Sequence, residues 1–263
     1  MRNFLTISYI ALAIILVCAA IAYVFGEHSS IEWLKDLSLN LGTEVTGIFL
    51  TVFLIDAAIR RNEAAERQRV KRVAFQQLRV SLIRHLHMLH GMYKAATTSL
   101  PESKPVAVAD LFTDSYFAQL GFLDFAKPAP VASAVPQQWM DYLRTETENF
   151  KAALGRTLEK YAVFLDGETV ELLEELLASS YLSLLSQITA IRDIDKKERW
   201  SRRYNLLAGQ GMTEIARSHT AEFVKLIESH NLNVPSDRHI KLDDGYWRND
   251  IAPPVGSGRI DGV

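Results

Sequence analysis

The residues whose types could support chemistry are few, and a histidine cluster is the first candidate. His85, His87 and His90 form an H-x-H-x-x-H pattern in a segment with helical periodicity. His87 and His90 share a helix face and could hold a metal ion, but His85 points elsewhere and no Asp, Glu or Cys lies within a turn. We therefore predict a solvated or interfacial histidine cluster and no metal site.

The remaining short motifs predict structure rather than chemistry. Gly209-Gln210-Gly211 lacks the Lys-Ser/Thr of a phosphate loop and the third glycine of a dinucleotide fold, so it is interpreted as a helix break. There is no G-x-S-x-G elbow, no H-E-x-x-H motif and no kinase motif set. The sequence predicts a non-enzymatic protein with no catalytic residue and no cofactor. An enzyme with an unrecognised helical active site stays open.

Two apolar stretches near the N-terminus are the elements that dominate the sequence. Residues 4–25 form a run of 22 residues without a charge, and residues 37–59 form a second, less pure run. At about 1.5 Å per residue the first run spans roughly 33 Å as a helix, enough for a hydrocarbon core of about 30 Å. It exceeds the apolar region of a cleaved signal peptide. We predict a transmembrane hairpin over residues 1–59, with helices at about 4–25 and 37–59.

A polar stripe marks the second of these predicted helices. Small and polar residues fall within about 100° of one another on its surface, and they are Asn40, Thr43, Glu44, Gly47 and Thr51. The stripe is interpreted as a helix-packing or oligomerisation face, or else as the lining of an ion or proton pathway that includes Glu44. The first interpretation is favoured.

Basic residues follow the second stretch at once. Between residues 60 and 84 there are eight Arg or Lys against two Glu, in a chain with a net charge of −2. This asymmetry predicts that both termini are cytoplasmic. It also predicts a basic juxtamembrane helix over 60–96, with anionic-lipid contacts from Arg60, Arg61, Arg67, Arg69, Lys71 and Arg72. The charges flank an apolar helix and lack interleaved aromatic residues, so nucleic-acid binding is not expected.

The rest of the chain predicts an all-α fold. Five prolines between 101 and 136 indicate a Pro-rich connector over 97–136 that contains a short helix. A helical bundle is predicted over 137–232, with helices at 137–165, 168–195 and 212–230, and Asp166 or Thr169 could cap the second of them. The tail over 233–263 contains prolines and glycines and is expected to be mostly disordered. The single cysteine excludes an intramolecular disulfide framework.

Two segments resemble those of a set of uncharacterised bacterial membrane proteins. Residues 37–61, LSLNLGTEVTGIFLTVFLIDAAIRR, look like their second membrane helix, with its N-L-G-T-E-x-x-G start and its run ending I-D before arginines. Residues 161–177, YAVFLDGETVELLEELL, are similar to a hairpin in the same proteins, which often have Pro at the place of Gly167. The resemblance implies two N-terminal transmembrane helices and a helical cytoplasmic domain. It implies no activity.

Together these features predict an integral inner-membrane protein with a scaffold or signalling role. Its helical cytoplasmic domain would serve self-association as a homo-oligomer, or would bind a cytoplasmic protein partner. The alternative is a small oligomeric channel or membrane-perturbing effector that uses the stripe around Glu44.

Overall fold

The computed structural model describes residues 32–100, 104–130, 136–199, 205–247 and 256–260, with isolated positions 17, 20, 23, 24 and 28 before them. Across these residues the fold is all-α: the chain forms helices and no strand, and its only extended pairing there is two isolated bridges. In chain order the helices are α1 (Glu32–Ala96), a 3-10 turn (Ala109–Leu111), α2 (Asp114–Leu120), α3 (Trp139–Tyr161), α4 (Gly167–Leu177), α5 (Ser180–Lys197), α6 (Gln210–Asn233) and a 3-10 turn (Ser236–Arg238). The all-α prediction is confirmed for this part of the chain.

The membrane predictions are wrong. No helix within the described ranges is long and apolar enough to cross a membrane. In α1 the apolar run between the charged residues Glu44 and Asp56 is eleven residues long, whereas a crossing takes about 20. The predictions of an integral inner-membrane protein, of a channel and of an inner-membrane location are therefore wrong. The predicted first helix at 4–25 falls outside the described residues except at its few isolated positions.

The chain divides into two compact units, Met1–Glu66 and Arg67–Val263. The second unit contains the core, and the part of α1 from Ala74 to Ala96 lies at its centre. From Met88 to Ala96 the side chains on every face of α1 are buried, whereas Gln77, Val80, Arg84 and His87 form an exposed stripe on the preceding turns. A helix that is buried all round is a central helix, so α1 supplies the axis around which the later elements of this unit pack.

Local signals in the sequence explain where several helices start. Asp166 is the N-cap of α4, and its Oδ1 accepts a hydrogen bond from the backbone N–H of Thr169 at 2.9 Å. Thr113 caps α2 in the same way through the N–H of Tyr116 at 3.3 Å. Each cap satisfies a backbone donor that the first helical turn leaves without a partner.

The predicted helix at 168–195 is two helices. α4 ends at Leu177 and α5 begins at Ser180. No glycine or proline marks the break, since Ala178 and Ser179 occupy it. Tertiary packing turns the chain here, and the turn brings Ser179 to the side of α6.

The described part of the predicted disordered tail is packed. Its buried side chains are Val234, Ile240, Leu242, Tyr246, Trp247 and Ile260. Leu242 donates its N–H to the carbonyl of Val106 at 3.0 Å, and Ile260 donates to the carbonyl of Phe122 at 3.0 Å. Gly258 lies so close to its neighbours that an added Cβ would stand 2.8 Å from Leu123 Cδ1 and 2.9 Å from Trp139 Nε1. This part of the tail therefore closes the core.

Candidate functional site

A cavity of about 360 Å³ lies between α4, α5 and α6 in the second unit. Hydroxyl, imidazole and carboxyl groups from the three helices converge on it. The polar lining residues are Glu175, Ser179, Ser180, Ser218, His219 and Glu222. This convergence makes the cavity the candidate site for small-molecule chemistry.

Ser179 reaches the cavity because of the break between α4 and α5. It is the N-cap residue of α5, yet its side chain makes no capping hydrogen bond. Its Oγ lies 3.1 Å from Nδ1 of His219 instead. A serine at this position usually accepts from the N–H groups of the first turn, so the hydroxyl has exchanged a local partner for a distant one.

A second histidine holds the other side of the His219 ring. His85 Nε2 and His219 Nε2 are 2.9 Å apart, and both side chains are buried. Phe150 stacks on His85 with ring centroids 4.0 Å apart, and Tyr181 stacks on His219 at 4.9 Å. The three polar groups form a chain, Ser179–His219–His85, between aromatic rings.

Burial determines the charge of this chain. Desolvation lowers the pKa of His219 to about 3. Desolvation, followed by repulsion from His219, lowers the pKa of His85 well below its usual value. Both imidazoles are neutral near pH 7, and each then has one donor and one acceptor nitrogen.

The tautomers of the two rings are coupled. If the hydroxyl of Ser179 donates to Nδ1 of His219, then His219 Nε2–H donates to His85 and His85 carries a proton on Nδ1. If Nδ1–H of His219 donates to Ser179 instead, Nε2 of His219 accepts from Nε2–H of His85, and Nδ1 of His85 carries no proton. Nδ1 of His85 is buried without a hydrogen-bond partner in either case. The chain therefore has two alternative proton arrangements, and we call Ser179, His219 and His85 the relay.

Carboxylates give one side of the cavity an acidic character. Repulsion from Glu222, followed by desolvation, raises the pKa of Glu175. Glu222 Oε1 accepts a hydrogen bond from Lys225 Nζ at 2.9 Å. A neutral or cationic ligand would enter here more readily than an anionic one.

The fold separates the three histidines of the H-x-H-x-x-H motif. His85 belongs to the relay, and His90 is buried with its ring edge-on to Trp247 at 4.6 Å. His87 is exposed and stacks on Tyr246 at 4.3 Å. No group of three or more His, Cys, Asp or Glu able to hold a metal ion occurs among the described residues. The expectation of a solvated cluster thus describes His87 alone.

The predicted polar stripe lies exposed in the first unit. Thr43 and Thr51 turn their hydroxyls back to the helix, onto the carbonyls of Asn40 at 2.9 Å and Gly47 at 2.8 Å. A Cβ added at Gly47 would meet nothing within 4 Å, and Glu44 is exposed on the same helix. Its packing role stays a prediction.

The predicted lipid-contact residues have several environments. Arg60 donates to Asp56 at 2.8 Å one turn earlier, and Lys71 forms an ion pair with Asp166. Arg61, Arg67, Arg69 and Arg72 are exposed. Because Lys71 is partly buried and engaged by Asp166, it holds α4 against α1 instead of presenting its charge to a distant surface.

A seam of apolar residues on α1 is a second candidate site, in the first unit. Ile48, Val52, Ile55 and Ile59 follow one another at spacings of four, three and four residues, so they lie within about 60° of each other on the helix. All four side chains are more than half exposed. We call these four residues the seam. Leu50, on the opposite face, is exposed to the same 54% as Ile55.

Sequence reasoning missed the relay. His85 carried a weak signal as part of a histidine motif, whereas Ser179 and His219 carried none. The three residues are separated by 94 and 40 positions. His85 and His219 meet across α1 and α6, and the turn at Ala178 and Ser179 adds the serine hydroxyl. Comparison of the chain with protein-family models, with curated proteins and with solved structures found no match. The resemblance of residues 37–61 and 161–177 to bacterial membrane proteins accordingly remains a prediction.

Proposed function

We propose that this chain is a self-associating helical protein and that three copies assemble in parallel through the seam. The single observation that carries the proposal is the exposure of Ile48, Val52, Ile55 and Ile59 at coiled-coil spacing. The role is one of assembly and involves no chemistry at this surface. A further protein partner, which the sequence also predicts, would be additional to it.

The amount of exposed apolar surface supports association. Seven large apolar side chains between 48 and 59 are roughly half exposed, and they are Ile48, Leu50, Val52, Phe53, Leu54, Ile55 and Ile59. Only the four seam residues share one helix face, and at roughly 100 Å² each they offer about 400 Å², about half of the 800 Å² that each partner contributes to a stable interface. A patch of this size on a helix is typical of an interaction site.

The spacing of the seam supports a coiled coil. In heptad terms Val52 and Ile59 occupy a positions, and Ile48 and Ile55 occupy d positions. The sequence continues the same spacing backwards through Val45 and Leu41. Seam residues therefore recur at the 3.5-residue average that keeps one helix face against its neighbours.

The residue types support three strands. β-Branched side chains fill both the a and the d positions from Ile48 to Ile59, and this composition shifts coiled coils from dimers toward higher states. A closed ring of three identical chains has a three-fold axis, and helices that lie along that axis all point the same way. The same residue of each copy then meets its equivalents at the centre.

Cysteine crosslinking tests the arrangement. With Cys18 replaced by serine, Ile55→Cys should form a disulfide between copies under mild oxidation, because the residues at 55 converge in a parallel register. Leu50→Cys is the matched control, since it has the same exposure on the opposite face. Equal crosslinking of both variants, or of neither, would overturn the proposed interface.

Sedimentation tests the number of copies. The 263-residue chain should sediment at three times its mass of 29.6 kDa at micromolar concentration. Ile55→Glu should release single copies, because it places three carboxylates together in an apolar seam, while Leu50→Glu should remain assembled. Monomeric wild-type chain at tens of micromolar would contradict the proposal. Circular dichroism should show the same helix content in both variants, which checks that they are folded.

A further inference from the structure

We propose that Ser179 is a nucleophile that accepts an acyl group from small activated esters or thioesters, with His219 as its general base and His85 as a positioning residue. The reactive cavity is the one between α4, α5 and α6, and it is independent of the seam on α1. The geometry of the three side chains and the space in front of Ser179 carry the inference.

The hydroxyl of Ser179 is placed as a nucleophile requires. Its Oγ is 3.1 Å from His219 Nδ1, it lines a cavity of about 360 Å³, and it makes no capping bond to its own helix. An activated serine needs a base within hydrogen-bond reach and a base that is itself oriented by a third group. His85, 2.9 Å from the far nitrogen of His219, is that third group.

The start of α5 supplies a place for negative charge. The side chain of Ser179 makes no capping bond, so its hydroxyl does not occupy the N–H groups of the first turn of α5. These donors stand next to the nucleophile, at the positive end of an 18-residue helix. An oxyanion formed on the acyl carbon could accept from them, which is the role of an oxyanion hole.

The reaction is an ordinary acyl transfer. Ser179 Oγ forms a bond to the acyl carbon, and the bond from that carbon to the leaving oxygen or sulfur breaks. The hydroxyl proton passes to His219 Nδ1 and then to the leaving group. The Nε2–H of His219 donates to His85 throughout, so the positive charge that His219 carries in the transition state is shared across the pair. Water can later attack the acyl carbon and give a proton to His219 Nδ1, and the bond from that carbon to Ser179 Oγ breaks as the oxygen takes this proton, which releases a carboxylic acid.

The environment restricts the acyl donor. A base so strongly desolvated activates the hydroxyl only weakly, so the donor must have a strongly electrophilic acyl carbon, as an aryl ester or a thioester has. The carboxylates of Glu175 and Glu222 flank the cavity and disfavour anionic donors. The cavity volume suits an acyl group of a few carbons.

Acylation of the intact chain tests the proposal. The 263-residue protein is incubated with p-nitrophenyl acetate, and peptide mass mapping locates the acetyl group. Acetylation should occur at Ser179 at least tenfold faster than at Ser180 or Ser218, which line the same cavity. The preference should disappear when the protein is unfolded in denaturant. Equal labelling of the three serines in the folded chain would overturn the proposal.

Variants separate the roles. Ser179→Ala should abolish acetylation at this position, and Ser218→Ala should leave it intact. His219→Gln should slow acetylation of Ser179 by roughly 100-fold, the lower range for loss of a general base. His85→Phe should slow it as well and His85→Gln should restore part of the rate, since the amide can replace the ring nitrogen as a hydrogen-bond partner. A purely structural His85 would show no difference in rate between the two variants when their stabilities match.

Discussion

The two buried histidines of the relay make the stability of the core sensitive to acid. Phe150, Tyr181 and Phe223 face the pair, and none of these rings can compensate a positive charge fully in so dry a place. His85 and His219 therefore stay neutral in the folded protein at pH values where the unfolded chain would already protonate them. The two buried imidazoles are therefore a source of instability in acid.

Stability should consequently fall as the pH drops. The pKa of His219 is about 3 in the folded protein and about 6.5 in the unfolded chain. The unfolded state thus binds more protons below pH 6.5, and stability is lost from there toward pH 3. His219→Gln should remove about 2 kcal/mol of the loss in unfolding free energy between pH 7.5 and pH 5. Urea denaturation at the two pH values measures it.

The exposed His239 provides the control for this measurement. His239→Gln should leave the difference between pH 7.5 and pH 5 as it is in the wild-type chain. If both substitutions change it equally, the burial of His219 is not the source of the acid sensitivity.

Gly258 is a residue whose identity follows from contact distances. A Cβ there would stand 2.8 Å from Leu123 Cδ1 and 3.0 Å from Ala95 Cβ, both in buried residues. Gly258→Ala should lower the free energy of unfolding by about 1–3 kcal/mol through overpacking. Gly155→Ala, in α3 with nothing within 4 Å, should raise it by about 0.5–1 kcal/mol. The melting temperatures of the two variants should shift in opposite directions from that of the wild-type chain. A shift in the same direction would contradict the packing described.

At the level of elements, one residue, Asp166, both starts α4 and attaches it to α1. Asp166 caps the helix through Thr169 and also pairs with Lys71 of α1. Burial acts to raise the pKa of Asp166, but the hydrogen bonds from Lys71 and Thr169 prevail and lower it to about 2. The stability that this carboxylate contributes is present above its unfolded pKa of about 4 and is lost as the pH falls toward 2.

Two substitutions at Asp166 separate the cap from the ion pair. Asp166→Ala should cost about 1–2 kcal/mol, because it removes the helix cap and the partner of Lys71 together. Asp166→Asn keeps a capping oxygen and should cost less than half as much, since an exposed ion pair contributes at most about 1 kcal/mol. Chemical denaturation at pH 7 measures both. Equal losses would assign the stability to the charge and not to the cap.

The elements could be predicted where the signal is local. The cap at Asp166 and the amphipathic patterns of α3 and α6 follow from nearby residues, and the structure has helices at these places. The break between α4 and α5 could not be predicted, because Ala178 and Ser179 are compatible with a continuing helix. The relay depends on that break, so it was hidden along with it. The packed tail was equally hidden, since burial of Trp247 and Ile260 results from contacts with residues more than a hundred positions away.

At the scale of the whole molecule, each unit has its own physical character. The unit Met1–Glu66 exposes the seam, and the unit Arg67–Val263 buries its apolar side chains around the second half of α1. Assembly and acyl transfer are accordingly proposed for different units, and the variants that test one leave the residues of the other unchanged. The membrane prediction failed at this scale, since it relied on the overall apolar character of residues 37–59 and gave little weight to Glu44 and Asp56 within them.

The last described segment has a consequence for synthesis of the chain. The carbonyl of Lys94 accepts from the N–H of Gly256 at 3.3 Å, and the carbonyl of Ala96 accepts from Arg259 at 2.9 Å. The hydrogen-bond partners of the end of α1 therefore leave the ribosome up to 163 residues later than the helix itself. A nascent chain must keep its central helix in a partly hydrated state until residues 256–260 have left the ribosome. Release of 256–260, rather than formation of α1, should then be the moment at which a growing chain becomes resistant to protease.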